Sequence, residues 1–169
     1  MEFKLKSISK SGIDKAIAKA EVYRYLNEPG EAESICRDIL AIDPDNQAAL
    51  RLFGLAITDQ FTGGMSDRYN EAGSIFQSLT SQYEQLYYAG ILLERRAKAQ
   101  LRAGRAPHAL LPLFEEAMYY FEEAEKVRPE DNDDAILRWN RCARLLQSRL
   151  GSEWQREIEV VDGGDSPPI

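Results

Sequence analysis

A short apolar pattern with a fixed stop constrains this chain more than any other feature. Ala117, Phe121 and Ala124 are spaced four and three apart, and Pro129 follows twelve residues after Ala117. Ala32, Cys36, Ile39 and Pro44 repeat those offsets. Ala72, Phe76 and Leu79 repeat them again, with Glu84 where the proline would stand. Residues four and three apart share one face of an α-helix. Proline ends such a helix because it has no N–H to donate and its ring clashes with the preceding turn. Recurrence at fixed offsets reads as an internal repeat. One helix pair cannot bury its apolar face alone, so units of this kind must stack.

The period divides the chain into seven predicted helices. The first, 12–26, puts Ala16, Ala20 and Tyr23 on one face. The second, 30–42, follows the turn signal Asn27-Glu28-Pro29-Gly30 and turns Ala32, Cys36, Ile39 and Leu40 inward. The third, 46–61, carries Leu50, Phe53, Gly54 and Ile57. Thr62-Gly63-Gly64 breaks it, and the fourth spans 67–82. The fifth, 84–103, aligns Leu86, Ala89, Gly90, Leu93, Ala97 and Leu101, and Gly104 closes it. Arg105 to Leu111 reads as a turn, with Pro112 opening the sixth helix, 112–128, because a start at Pro107 would trap Pro112 inside. The seventh, 132–149, carries Ala135, Cys142 and Leu146, with Trp139 as its core anchor. Gly54 and Gly90 would weaken a lone helix, so they mark places where a neighbour packs on bare backbone. The domains read as an arm at 1–11, helical or extended, a helical domain at 12–150, and a flexible acidic tail at 151–169.

These residues resemble the tetratricopeptide repeat (TPR) family, whose unit runs W-x2-L-G-x2-Y, A-x3-F, P. The first unit reads Ala16-x2-Lys19-Ala20-x2-Tyr23, Ala32-x3-Cys36, Pro44. The second reads Leu50-x2-Phe53-Gly54-x2-Ile57, Ala72-x3-Phe76, and the third Leu86-x2-Ala89-Gly90-x2-Leu93, Ala117-x3-Phe121, Pro129. Ala20 to Ala32 spans twelve residues, Gly54 to Ala72 eighteen and Gly90 to Ala117 twenty-seven, so six and fifteen residues are inserted. The resemblance implies an all-α, right-handed α-solenoid of about three helix pairs plus a C-terminal capping helix. It also implies a concave groove, lined by the first helix of each pair, that binds peptide segments of other proteins. The family's chaperone-tail clamp is not matched, since Ile17, Glu21, Arg51 and Leu55 occupy its positions.

Charge and composition exclude several functions. The 169 residues carry a formal net charge of −7, of which −4 lies in the tail, so the phosphate backbone of a nucleic acid finds no basic face. No stretch is apolar enough for a signal peptide or membrane span, which places the chain in the cytoplasm by default. Cys36 and Cys142 sit in apolar helical patterns and read as reduced core residues. The one histidine, His108, leaves no two-histidine metal site. Glu130-Asp131-Asn132-Asp133-Asp134 lacks a calcium loop's later glycine and terminal glutamate and reads as helix capping. No cofactor, metal or catalytic group is expected.

What remains is recognition. Arg138, Arg141 and Arg144 recur every three residues along one helix, and Arg51 and Arg95 sit on the third and fifth. A solvated face accounts for such a run, but the repeat geometry puts Arg51, Arg95, Arg141 and Arg144 near the groove, where arginine forks suit carboxylates and phosphorylated side chains. Tyr87, Tyr88, Tyr119 and Tyr120 form two doublets, and Tyr87 is a candidate aromatic anchor. The expectation is a non-catalytic adaptor for a protein or peptide, with an acidic one as a candidate. A structural subunit that self-associates or docks through the long fifth and sixth helices is the alternative. The tail, with Trp154, Ile158, Val160 and Val161 among its acids, is itself a candidate groove ligand.

Overall fold

A computed structural model describes the backbone of residues 1–162 and side chains as far as Ser152. The described residues hold α-helix and one short 3-10 turn, and no strand. The turn, Lys10–Gly12, leads into α1 (Ile13–Tyr25). There follow α2 (Pro29–Ile42), α3 (Gln47–Asp59), α4 (Tyr69–Gln77), α5 (Gln82–Arg102), α6 (Pro107–Lys126) and α7 (Asp134–Asp162). Each helix packs against the next, and α3 also touches both α1 and α5. No helix among the described residues is long and apolar enough to cross a membrane. Residues 1–9 have no regular structure, and Phe3 and Leu5 are fully exposed.

The repeated pattern becomes a repeated contact. Phe76 of α4 lies on Gly54 of α3, where an added Cβ would meet the ring at 2.3 Å. Phe121 of α6 lies on Gly90 of α5, where a Cβ would meet it at 2.6 Å. The alanines four residues before each ring, Ala72 and Ala117, are fully buried. In the first unit the same positions hold Ala20 and Cys36, both fully buried in one cluster. There the glycine has gained a methyl and the ring has shrunk to a thiol, which conserves volume across the junction. Burial pushes the Cys36 and Cys142 thiols up to about 12, so both stay protonated at neutral pH.

Capping chemistry corrects several helix boundaries. Ser81 caps α5, its hydroxyl accepting from the Glu84 N–H at 3.3 Å, so the helix begins at Gln82 rather than 84. At its far end Gly104 adopts φ +95°, with Gly104 N–H on Leu101 O and Arg105 N–H on Gln100 O, a Schellman stop. Asn27 at φ +59° closes α1 in the same way. The fourth helix is shorter than the expected 67–82. The carboxylate of Asp67 accepts from the N–H groups of Thr62 and Gly63 at 2.7 and 2.8 Å and so belongs to the preceding loop.

The sixth helix starts at Pro107, not Pro112. Leu110 and Phe114 are both essentially inaccessible and continue the stripe of Ala117 and Phe121 back by two turns. Burying two large side chains stabilises by roughly 3–6 kcal/mol. That outweighs the roughly 3 kcal/mol cost of one internal proline, and Pro112 itself faces solvent. The fifteen inserted residues therefore lengthen α5 and α6 instead of making a loop. The seventh helix runs to Asp162, well past 149. Leu150, Trp154, Ile158 and Val161 continue its spacing of four, four and three through the stretch expected to be tail. Residues 163–169 lie outside the described residues. Trp139 is a rim residue and not the core anchor: it is half-buried and donates Nε1–H to Glu122 at 2.9 Å. Ala135 and Cys142 are the fully buried positions of α7 among the residues whose side chains are described.

The ring-on-glycine contact is testable. Gly90→Leu should lower stability by about 1–3 kcal/mol through overpacking. Urea unfolding reads this directly, and an unchanged midpoint would show that Phe121 does not need bare backbone.

Candidate functional site

Ion pairs run in two ladders, one joining even-numbered helices and one joining odd-numbered ones. In the even ladder Glu33 of α2 accepts from Arg68, at the start of α4, at 2.6 Å, and Arg37 reaches Glu71 at 3.3 Å. The Arg68 hydrogen bond, chief among those from Arg68, Gln60 and Arg37, holds the Glu33 carboxyl down at about 2. In the odd ladder Arg24 of α1 donates Nε–H to Asp59 of α3 at 2.7 Å. Arg95 of α5 joins the same carboxylate and donates to the Thr58 hydroxyl at 3.0 Å. Arg51 of α3 pairs with Glu84 of α5 at 2.9 Å. Pairs this close to water are worth roughly 0–1 kcal/mol each. Their effect is to fix where charged groups point.

The odd ladder borders two depressions. One, of about 190 Å³, is lined by Glu21, Arg24, Tyr25, Arg51, Leu55 and Tyr88 among others. The other, of about 260 Å³, is lined by Thr58, Asp59, Arg95, Lys98, Arg102 and Arg138. The Arg24–Asp59 pair joins their edges. Lys98, Arg102 and Arg138 make the second depression cationic. Behind them lies Glu94 of α5, wholly buried. Its carboxylate takes Lys98 as an ion-pair partner, and Arg138 of α7 approaches its Oε2 at 3.7 Å. No group among the described residues hydrogen-bonds Oε2. Four cations (Arg95, Lys98, Arg102, Arg138) thus face two carboxylates, Asp59 and Glu94, and Asp59 is shared with Arg24 besides, so positive charge is in excess here on an acidic protein.

The structure sorts the residues singled out from sequence. It brings Arg95 and Arg138 together in the second depression and puts Arg51 in the first. Arg141 and Arg144 are exposed on α7 and line neither. Tyr87 is not a free aromatic anchor. Its ring stacks on Tyr83, meets Tyr88 edge-on and leans on Phe121, at centroid distances of 5.7, 5.1 and 5.9 Å. Sequence reasoning missed Lys98 and the pairing role of Asp59 and Glu94. The signal was present: Arg95, Lys98 and Arg102 are spaced three and four apart and share one stripe of α5. Arg96, one residue off that stripe, instead lies over the Tyr69 ring at 4.2 Å. In the acidic run before α7, Asn132 accepts from the Asp134 N–H at 3.0 Å and from the Tyr83 hydroxyl at 3.3 Å, an Asx turn that leads into the helix.

Comparison with known proteins returns no matching family model, no similar curated protein and no similar solved structure.

Glu94 makes an asymmetric prediction. Lys98→Met strands a buried carboxylate and should cost about 3–5 kcal/mol, whereas Glu94→Met removes the buried charge itself and should be close to neutral. Equal losses in the two variants, measured by urea unfolding, would mean that Glu94 is hydrated.

Proposed function

We propose that the chain is a TPR-like interaction module that binds an acidic segment of another protein. On this reading α1–α2, α3–α4 and α5–α6 are the three helix pairs of a right-handed α-solenoid, and α7 caps it. The odd-numbered helices line the concave face, and the partner lies along the two depressions they border. The carrying observation is the excess of cations where α3, α5 and α7 meet, on a chain whose net charge is −7. Arginine forks held by neighbouring side chains lose little entropy when they bind a carboxylate. Tyr25, Leu55 and Tyr88 offer apolar surface next to them for the partner's uncharged side chains. No chemistry is assigned to the module. Two free, buried thiols fit a reducing compartment such as the cytoplasm.

The alternative of assembly through α5 and α6 has less support. These helices use their apolar faces on each other and on α7, and Leu110, Phe114, Ala117 and Phe121 are all inaccessible.

A selection of random twelve-residue peptides tests the reading. Recovered peptides should be rich in Asp and Glu, bind more weakly as salt rises, and lose about tenfold or more in affinity to Arg102→Glu. Arg102 is exposed and enters no ion pair among the described residues, so its replacement leaves the fold intact. Recovery of neutral or basic peptides, or binding indifferent to Arg102, would contradict the proposal.

A further inference from the structure

We infer that the depression between α3, α5 and α7 is a seat for a phosphorylated side chain of the bound segment. The inference rests on the reading of this face as a peptide groove and adds the chemistry of the anchoring residue.

Arg95 already donates to Thr58 and to Asp59, and Lys98 is paired with Glu94. Two further guanidinium groups line the same depression and are held more loosely. Arg102 forms no ion pair among the described residues, and Arg138 pairs with Glu94 only at 3.7 Å, too far for a hydrogen bond. They come from different helices, α5 and α7, and open on one cavity of about 260 Å³. A single carboxylate would neutralise one of them and leave the other charge unmatched. A phosphorylated side chain carries about −1.5 to −2 and three acceptor oxygens. It matches the excess in charge and in number of donors.

Glu94 explains why the excess persists. A wholly buried carboxylate with one oxygen lacking a donor is a costly arrangement. It is retained where it turns Lys98 and Arg138 toward one point. A ligand that drew Lys98 fully away would strand the buried charge, so Arg102 and Arg138, whose approach to Glu94 is not a hydrogen bond, are left to bind.

A side chain rather than a free phosphate is favoured by what adjoins the seat. Asp59 borders it and is held by Arg24, which borders the neighbouring depression with Tyr25, Leu55 and Tyr88. Residues flanking the phosphorylated one would lie on that aromatic and aliphatic surface. Free phosphate would gain nothing from it.

The test is a titration of the full chain, followed by backbone amide shifts. The probes are the blocked pentapeptide Gly-Leu-phosphoserine-Leu-Gly, its Glu-containing counterpart, and inorganic phosphate. The phosphopeptide should bind at least tenfold more tightly than either other probe, shift amides of α5 and α7 around Arg102 and Arg138, and lose that advantage in Arg102→Gln. Equal binding of the Glu peptide would overturn the phosphate seat and leave the acidic groove standing. Equal binding of inorganic phosphate would make this a free-anion site and overturn the side-chain source. A phosphopeptide that shifts no amide on this face would overturn both the seat and the groove reading.

Discussion

The contact on which the rest of the structure depends is a phenyl ring laid on a glycine. Phe76 on Gly54 and Phe121 on Gly90 bring α4 onto α3 and α6 onto α5 more closely than any Cβ would allow. The inaccessible alanines Ala72 and Ala117 keep the rest of each interface as thin. Glycine inside a helix costs roughly 1 kcal/mol, and a buried phenylalanine returns more than that in apolar area. The balance favours the contact only when both halves are present, which is why the two residues recur together. Where the first unit lacks the ring, it lacks the glycine as well.

The charged face follows from that packing. With α4 and α6 drawn onto α3 and α5, charged groups of α1, α3, α5 and α7 come within ion-pair distance of one another. A second ladder joins α2 to the start of α4. The two ladders differ in their surplus. Glu33 accepts from Arg37 and Arg68 and Glu71 from the same two arginines, so the even ladder is close to balanced. The odd ladder ends with Arg102 in no ion pair among the described residues and with Arg138 sharing Glu94 with Lys98. A uniformly solvated arginine run would not concentrate its excess in one cavity.

Much of this was legible in the sequence, and the failures have physical causes. The alanine–ring–proline offsets gave the helices, and the glycines marked the close contacts. Pro112 misled because a local rule against internal proline was set against a nonlocal gain, the burial of Leu110 and Phe114, that spacing alone does not weigh. The stretch after Gly151 misled through its composition: its glycines, prolines and acids read as a tail, while the helix continues to Asp162. The site was only half legible. Helical spacing puts Arg95, Lys98 and Arg102 on one stripe, but which cations are already neutralised depends on Asp59 and Glu94, whose partners lie on other helices or a turn away. Tyr87 looked available because its neighbours Tyr83 and Phe121 meet it only in three dimensions.

On the proposed reading the face of α1, α3, α5 and α7 is the one that binds. A crystal structure of the chain with an acidic or phosphorylated peptide tests this most directly. The peptide should lie across the two depressions, with its anionic group within hydrogen-bond distance of Arg102 and Arg138. A peptide seated instead on the face of α2, α4 and α6, or one that leaves Arg102 and Arg138 uncontacted, would contradict it.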